Sequence, residues 1–396
     1  MEAVQDRASA TAAGRGVVRA FELGLGDRLM KLATHGIPSA SEPSARLATD
    51  VYTSPERLRA ERRAMARRPA VALASSEVAS PGDFATLRLG DTGVIVARDH
   101  GGRAHALVNV CAHRGSTVEH RPCGSARLLS CRFHGWSYNL DGSLRAASNP
   151  RLFSTTAPTG GLQRLHCEER HGLVWVTTDS AAGSPTVRQW LGAELDDLLT
   201  GLGLGDMVAF RAEDHDLGCN WKMLTDGFLE IYHLKHLHRN TIAPYFPAHA
   251  AVYSRYGDHV LAALPKNRLW RELPDTPRDQ WRILEGLTMA IVLVPGTVIQ
   301  WQAGHVELFS LRPDPHDPTR TSCRLTMLIP AGQAHDTDLW ERNWQRVCET
   351  IPAEDFAVAE EIQGNINTGA VTSLQIGANE SFILEHQATV DRLIAS

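Results

Sequence analysis

The sequence predicts an α+β protein, with a small all-β domain inserted in, or lying next to, a larger domain that combines helices with sheet. Two changes of hydrophobic period predict this: helical spacing gives way to strand alternation near residue 69, and a mixture of both follows residue 180. Size is the third observation, since 396 residues, 43% of them hydrophobic, can bury two cores. The expected division is therefore 1–68, a helical segment packing with the larger domain, then 69–180 and 181–396.

Residues 3–14 are Ala-rich and read as a frayed start, and Val17 to Leu32 reads as an amphipathic helix with Val18, Phe21, Leu25, Leu29 and Met30 along its apolar stripe. Residues 37–56 are Pro- and Ser-rich and linker-like, and Ser54 to Arg68 is again helical. Strands are expected at Phe84–Gly90, Gly93–Arg98 and Ala106–Val110, with a hairpin turn at Asp99–Gly102 and another at Asp141-Gly142. Leu173 to Thr178 closes this domain. Beyond Val208, Met289–Pro295, Thr297–Trp301 and His305–Leu311 read as strands and Asp338 to Glu349 as helix. Gly201, Gly203 and Gly205 do not follow a strand and open a helix, so a dinucleotide fingerprint is rejected.

Two segments twenty residues apart carry metal-ligand chemistry: Cys111-Ala-His113-Arg114-Gly115 and Cys131-Arg-Phe-His134-Gly135-Trp136. Each offers one thiolate and one imidazole from a tight loop. Thiolates hold iron–sulfur clusters, and two His in place of two Cys on one iron raise the reduction potential. The same set suits structural zinc, so spacing alone leaves both open. A second constellation runs from Asn220-Trp221-Lys222 to His238. Trp221, Leu224, Phe228 and Ile231 recur at helical steps, Asp216 or Asn220 supplies the cap, and Glu230 and His233 share a face. His238, five beyond His233, would leave that face, so the chain is expected to bend before Pro244 and bring both imidazoles to one ion. Two His and one carboxylate with open positions form the facial triad of non-haem Fe(II) oxygenases.

These loops, and the segment Asn220-Trp221-Lys222 with Glu230, His233 and His238, resemble the α subunits of Rieske non-haem iron (ring-hydroxylating) oxygenases. The resemblance implies a Rieske [2Fe–2S] domain beside a catalytic domain of START-like, helix-grip type, an antiparallel sheet with helices laid against it and the iron beneath. It implies that Cys111 and Cys131 bind the inner cluster iron, that His113 and His134 bind the outer one, and that His233 and His238 bind mononuclear Fe(II). Glu230 would link the two centres, where many members carry Asp. Glu354-Asp355 through Gln363-Gly364 is similar to the C-terminal helix of the family, which assigns Asp355 as third ligand, with Glu354, Glu360 and Glu361 as competitors.

The implied enzyme is a terminal oxygenase component. It uses O2, and NAD(P)H only through a partner ferredoxin or flavin reductase, to hydroxylate an aromatic or other hydrophobic small molecule. Mono- and dihydroxylation and demethylation stay open. Met289, Ile291, Leu293, Ile299 and Trp301 are candidates for an apolar pocket or for sheet core, with Asp226 and Gly227 near the pocket. The alternative is a monooxygenase or demethylase of a quaternary amine such as choline, carnitine or betaine, held in a cation–π cage of Tyr232, Tyr245, Phe246 and Trp301, which Glu230 would suit. A Rieske electron carrier and a zinc-stabilised binding protein are the other classes. The resemblance further implies a head-to-tail homotrimer, with a β subunit possible.

A net charge of −5 without a basic run gives no reason to expect nucleic acid. Seven cysteines, five of them scattered beyond the clamp, form no disulfide framework and suit a reducing cytoplasm. No apolar run approaches a membrane span, and the N-terminus lacks a signal-peptide plan.

Overall fold

The computed structural model describes residues 2–36, 44–153, 160–179 and 183–395. The chain forms two compact units, residues 65–190 and residues 1–64 with 191–396, so the small unit interrupts the sequence of the larger one.

In the small unit, Thr92–Arg98 and Ala104–Val108 are the centre of an antiparallel sheet ordered Ala70–Ala74, Leu173–Thr177, Arg164–Arg170, Ala104–Val108, Thr92–Arg98, Asp83–Leu89 and Cys123–Ser125. Residues Val94–Ala97 and Ala106–Leu107 are buried on both faces of the sheet, which is why that part of each strand is apolar. Val94, Val96, Ala104 and Ala106 join one core. Ile95, Ala97 and Leu107 join the other, and that second core contains Cys111, Cys131, Trp136 and Tyr138. A smaller sheet of Leu129–Ser130, Ser137–Tyr138 and Leu144–Ala146 carries the second Cys/His loop. The expected turn at Asp141-Gly142 lies here. Gly142 adopts φ 85°, and a Cβ there would meet Leu107 Cδ2 at 2.6 Å, so both conformation and space require glycine.

Among the described residues, the larger unit is built on a seven-stranded antiparallel sheet ordered Met207–Leu217, Thr321–Pro330, Val306–Pro313, Thr297–Trp301, Leu287–Leu293, His259–Pro265 and Val252–Tyr256. Helix Glu2–His35 includes the segment expected as a frayed start. It approaches Trp281 so closely at Gly26 that a Cβ would lie 2.5 Å from the indole. The linker-like passage is corrected in part: residues 37–43 lie outside the described residues, but Ala45–Ala48 pairs with Ser373–Ile376, and Thr49 and Tyr52 are buried. Register with a distant strand supplies the order that composition did not suggest.

The Asn220-Trp221-Lys222 segment starts a helix that is shorter than expected. Asn220, not Asp216, is its cap: Asn220 Oδ1 accepts from Lys222 N at 2.9 Å, while Asp216 lies in a strand and pairs with Arg320 at 2.6 Å. Such a cap contributes about 1 kcal/mol. Helix Trp221–Phe228 then ends before Ile231, and Phe228 packs on Phe309 of the sheet, ring centroids 5.0 Å apart.

The start of this helix is anchored by a buried ion pair. Lys222 Nζ donates to Glu61 Oε1 at 2.7 Å, Trp221 Nε1 donates to Glu61 Oε2 at 3.0 Å, and Arg57 reaches the same carboxylate at 2.9 Å. Burial pulls the Lys222 ammonium below the usual lysine range, and Glu61 opposes that shift. Removing one member of such a pair leaves a buried charge and costs about 3–5 kcal/mol, whereas an apolar replacement of both can be nearly neutral. Lys222→Met is therefore expected to lower the urea midpoint sharply, and Glu61→Leu/Lys222→Met to recover much of the loss. A double variant no more stable than Lys222→Met would show that this pair is not what anchors the helix.

Candidate functional site

The two Cys/His loops have the same internal geometry. Cys111 N donates to Ser116 O and Cys131 N to Trp136 O, each at 2.8 Å, while Gly115 N and Gly135 N return to the cysteine carbonyls at 2.9 Å. Gly115 and Gly135 take φ 74° and 70°, which permits each turn. Both cysteines are buried and both histidines are half-exposed, with the imidazoles 4.7 Å apart and His113 stacked on Trp136 at 4.9 Å. Tyr138 Oη lies 3.0 Å from Cys111 Sγ and accepts from Ala112 N.

Burial opposes ionisation of Cys131, but backbone N–H groups of Phe133 and His134, with Cys111 and Ser116, hold its thiol below the usual range. A thiolate pocket closed by backbone donors is what a metal cluster needs. His113 Nδ1 is buried with no hydrogen-bond partner among the described residues, so it is free to ligate. Arg114 lies 2.7 Å from His134 Nε2, leaving Nδ1 of that ring as the ligating atom. The residues fit a two-iron cluster with the thiolates inside and the imidazoles outside.

In the larger unit, one ligand atom each from His233, His238 and Asp355 lie within 4.8 Å of one another. The segment that carries the histidines is not one helix. Glu230 accepts from the backbone N–H groups of Tyr232 and His233, ending the first helix and starting a turn that leads into Leu234–Leu237. The expected bend is therefore earlier than His238. Glu230 reaches His233 through this turn, not along a helix face, and its carboxylate holds His233 Nδ1.

Asp355 comes from a π-helical turn, Ile351–Phe356, between helices Thr337–Thr350 and Ala357–Asn367. Its Oδ1 lies 3.2 Å from His238 Nε2 and 3.6 Å from His233 Nε2. Glu354 instead faces His238 Nδ1 at 2.6 Å and accepts from Thr241 Oγ1 at 2.8 Å. Glu360 receives Gly218 N at 2.7 Å, and Glu361 is exposed, so neither reaches the cluster of ligands. Burial disfavours charge on His238, yet Asp355 and Glu354 hold its imidazole above the usual histidine range. Three carboxylates around two imidazoles suit a divalent cation.

The triad opens onto a cavity of about 900 Å3. Asp226 lines it, accepting from Tyr52 Oη at 2.6 Å, and His386 Nδ1 lies 3.3 Å away. Burial and then Asp226 push the Tyr52 hydroxyl well above its usual range. Tyr52, Glu354 and His386 were not singled out for these contacts by the sequence: Tyr52 fell in the linker-like passage, and a lone His offers no signal.

Of the two uses open to the five sheet residues, they take the core, and the cavity lies on the opposite face of the sheet. Met289, Ile291, Leu293, Ile299 and Trp301 are buried but do not line the cavity. Thr288, Ala290, Gln300 and Gln302 do. Alternation puts successive side chains on opposite faces, so the apolar set faces the core and the more polar set, Thr288, Gln300 and Gln302 with Ala290, faces the cavity. The aromatic cage is also incomplete: Tyr245 and Phe246 line the cavity, while Tyr232 and Trp301 do not.

Residues 68–157 match the Rieske [2Fe–2S] domain, and residues 204–396 match the ring-hydroxylating alpha subunit catalytic domain. The chain belongs to the Rieske non-haem iron oxygenase family, as an α subunit. It is 28% identical over 205 residues to the anthranilate 1,2-dioxygenase large subunit of Acinetobacter baylyi, covering 50% of this chain and 43% of that one, so it spans less than half of this relative. To the glycine betaine monooxygenase oxygenase subunit of Chromohalobacter salexigens it is 27% identical over 332 residues, 74% of this chain and 73% of the relative. The fold resembles that of the quaternary ammonium Rieske monooxygenase CntA solved with an inhibitor, with TM-score 0.72, 20% identity, and coverage of 88% of this chain and 94% of that one.

Because the two sets of ligands are separate, Asp355→Asn and His233→Ala are expected to remove about one of roughly three irons and leave the cluster spectrum, whereas Cys131→Ser should bleach the cluster. Glu360→Gln should keep all three. Iron and sulfide analysis with visible spectroscopy checks this. Retention of the third iron by Asp355→Asn, with its loss from Glu360→Gln, would move the ligand to Glu360.

Proposed function

We propose that the protein is a terminal oxygenase that uses O2 and reductase-supplied electrons to hydroxylate an aromatic or other hydrophobic small molecule. The observation that carries this is the His233–His238–Asp355 cluster at the wall of a 900 Å3 cavity. When bound, the [2Fe–2S] cluster supplies electrons one at a time and the mononuclear iron activates O2. A pure electron carrier would have no use for the second ligand set and the cavity.

In this reading Cys111, Cys131, His113 and His134 hold the cluster, and His233, His238 and Asp355 hold the mononuclear iron. Glu230 and Glu354 accept hydrogen bonds from Nδ1–H of His233 and His238. That fixes the tautomer and leaves both Nε2 atoms to ligate. Phe228, Leu234, Leu237 and Ile351 give the cavity apolar walls that exclude water around a hydrophobic substrate. The working assembly is a head-to-tail trimer served by a ferredoxin or flavin reductase in the cytoplasm. For a quaternary ammonium Rieske monooxygenase of similar fold, inter-subunit electron transfer has been described, and no helix among the described residues is long and apolar enough to cross a membrane. In a trimer of this kind Glu230 would link His134 of one subunit to His233 of the next.

A second reading, oxidation of a quaternary amine, is favoured by Glu230 at the linking position and by the likeness to glycine betaine monooxygenase. The incomplete aromatic cage favours the first. Substrate-stimulated O2 uptake with a surrogate reductase separates them, using naphthalene and benzoate in one arm and choline and glycine betaine in the other. Glu230→Gln should keep both metals yet lose turnover roughly 10- to 100-fold, because a neutral amide can accept the His233 Nδ1–H hydrogen bond but carries no charge to hold the histidines in register. Single-turnover oxidation of the cluster at the wild-type rate in that variant would place Glu230 outside the electron route.

A further inference from the structure

We propose that the cavity contains an anion subsite, formed by Lys266 with Arg346 at its rim, and that the substrate carries a carboxylate or similar oxyanion on its hydrophobic skeleton. This rests on the reading of the cavity as the substrate site, and adds to it a chemical class.

Each lining carboxylate is engaged. Asp226 is held by Tyr52 and His386, Glu230 by the turn at His233, and Asp355 by the two ligand histidines. Glu380 receives Gly377 N at 2.6 Å. Glu307, 2% exposed, is held by His305 at 3.1 Å and Gln302 at 3.3 Å. The two cations that line the same space are different. Neither the Lys266 ammonium nor the Arg346 guanidinium has a hydrogen bond or salt bridge among the described residues.

Lys266 is directed inward by strand geometry. It follows strand His259–Pro265 two residues after Leu264, which also lines the cavity and pairs with Thr288, so alternation puts both side chains on that face. The ammonium is half-buried, unlike most lysines, and Arg346 is exposed at the opening. Burial pulls Lys266 below the usual lysine range; Glu307 opposes this, and Arg346 adds to it. Two cations that repel each other across one cavity, one of them partly desolvated, are relieved by an anion between them. Gln300 and Asn343 line the same space without side-chain hydrogen bonds and can donate to the same oxyanion. A neutral hydrocarbon would leave Lys266 partly desolvated with no direct hydrogen-bonding partner and only the field of Glu307 against it, which costs affinity.

The test is binding by calorimetry to the whole protein with its metals in place, kept anaerobic and without reductase. The probes are 2-naphthoate and benzoate against the matched amides 2-naphthamide and benzamide, with phenyltrimethylammonium as the cationic arm. Carboxylates should bind roughly tenfold or more tightly than the amides, as one charge-assisted contact in a shielded site gives. Lys266→Met should collapse that ratio toward one and Lys266→Arg should keep most of it, while Arg346→Met should reduce it in part. Equal affinity of acid and amide in the wild-type protein overturns the subsite while leaving an apolar substrate site in place, and needs no variant to fold. A preference for carboxylate that survives in folded Lys266→Met also overturns it. Preference for phenyltrimethylammonium would overturn it in favour of the quaternary-amine reading. If no probe binds a protein that holds both metals, the cavity reading fails together with the subsite.

Discussion

The larger unit depends on the capture of two imidazole Nδ1 atoms by carboxylates. A free histidine has two ring nitrogens and rotates about two bonds, so a pair of histidines does not by itself define a metal site. Here Glu230 holds His233 and Glu354 holds His238, and in both rings the remaining Nε2 is turned to the same carboxylate, Asp355. Carboxylate partners of this kind set tautomer and orientation and raise the basicity of the ligand. Five side chains from segments more than a hundred residues apart thus form one device.

Local departures from regular helix build it. A continuous helix from Trp221 would spread His233 and His238 around its axis, five residues being about one and two-fifths turns. The break at Leu229, where Glu230 turns its carboxylate to the backbone of Tyr232 and His233, resets the direction of the chain. On the other side, the π turn at Ile351–Phe356 presents the adjacent residues Glu354 and Asp355 to the two nitrogens of one imidazole. Widened turns of this type occur often at functional sites. These irregular stretches are affordable because their flanks are tied down. Asn220 bonds Tyr52, Pro318 and Gln363, and Glu61 collects Arg57, Trp221 and Lys222.

Much of this was legible in the sequence wherever the information is local. The Cys/His loops need a thiolate, an imidazole and a glycine at fixed steps, so residues 111–115 and 131–136 declare themselves. The strand pairs with tight turns, and the helix near Asp338, were likewise read from short-range pattern. What was not legible depends on partners far along the chain. Strand Met207–Leu217 carries exposed Arg211, Glu213, Asp214 and Asp216 on both of its faces and pairs with Thr321–Pro330, which no window of ten residues contains. Only the family resemblance, not residue pattern alone, favoured Asp355 over Glu354. Both are acidic and adjacent, and the difference lies in which of the two faces Nε2.

The alternation along the sheet strands has a consequence for how such a cavity can change. In strands Leu287–Leu293 and Thr297–Trp301 every side chain but Gln300 is buried, yet alternate positions serve different ends. Met289, Ile291 and Ile299 fill the core, where lost volume costs about 1–5 kcal/mol. Thr288, Ala290 and Gln300 border space that a ligand fills, so their exchange changes its shape and polarity with far less strain. Ala290 faces Gln300, and Gln300 faces Glu307, across neighbouring strands. The polar wall therefore runs as a row across the sheet, perpendicular to the chain, and its composition can change at single positions on separate strands. Core-filling and cavity-lining residues are thus interleaved along the same strands, so the cavity wall can change while the sheet and the His233–His238–Asp355 cluster beside it stay fixed.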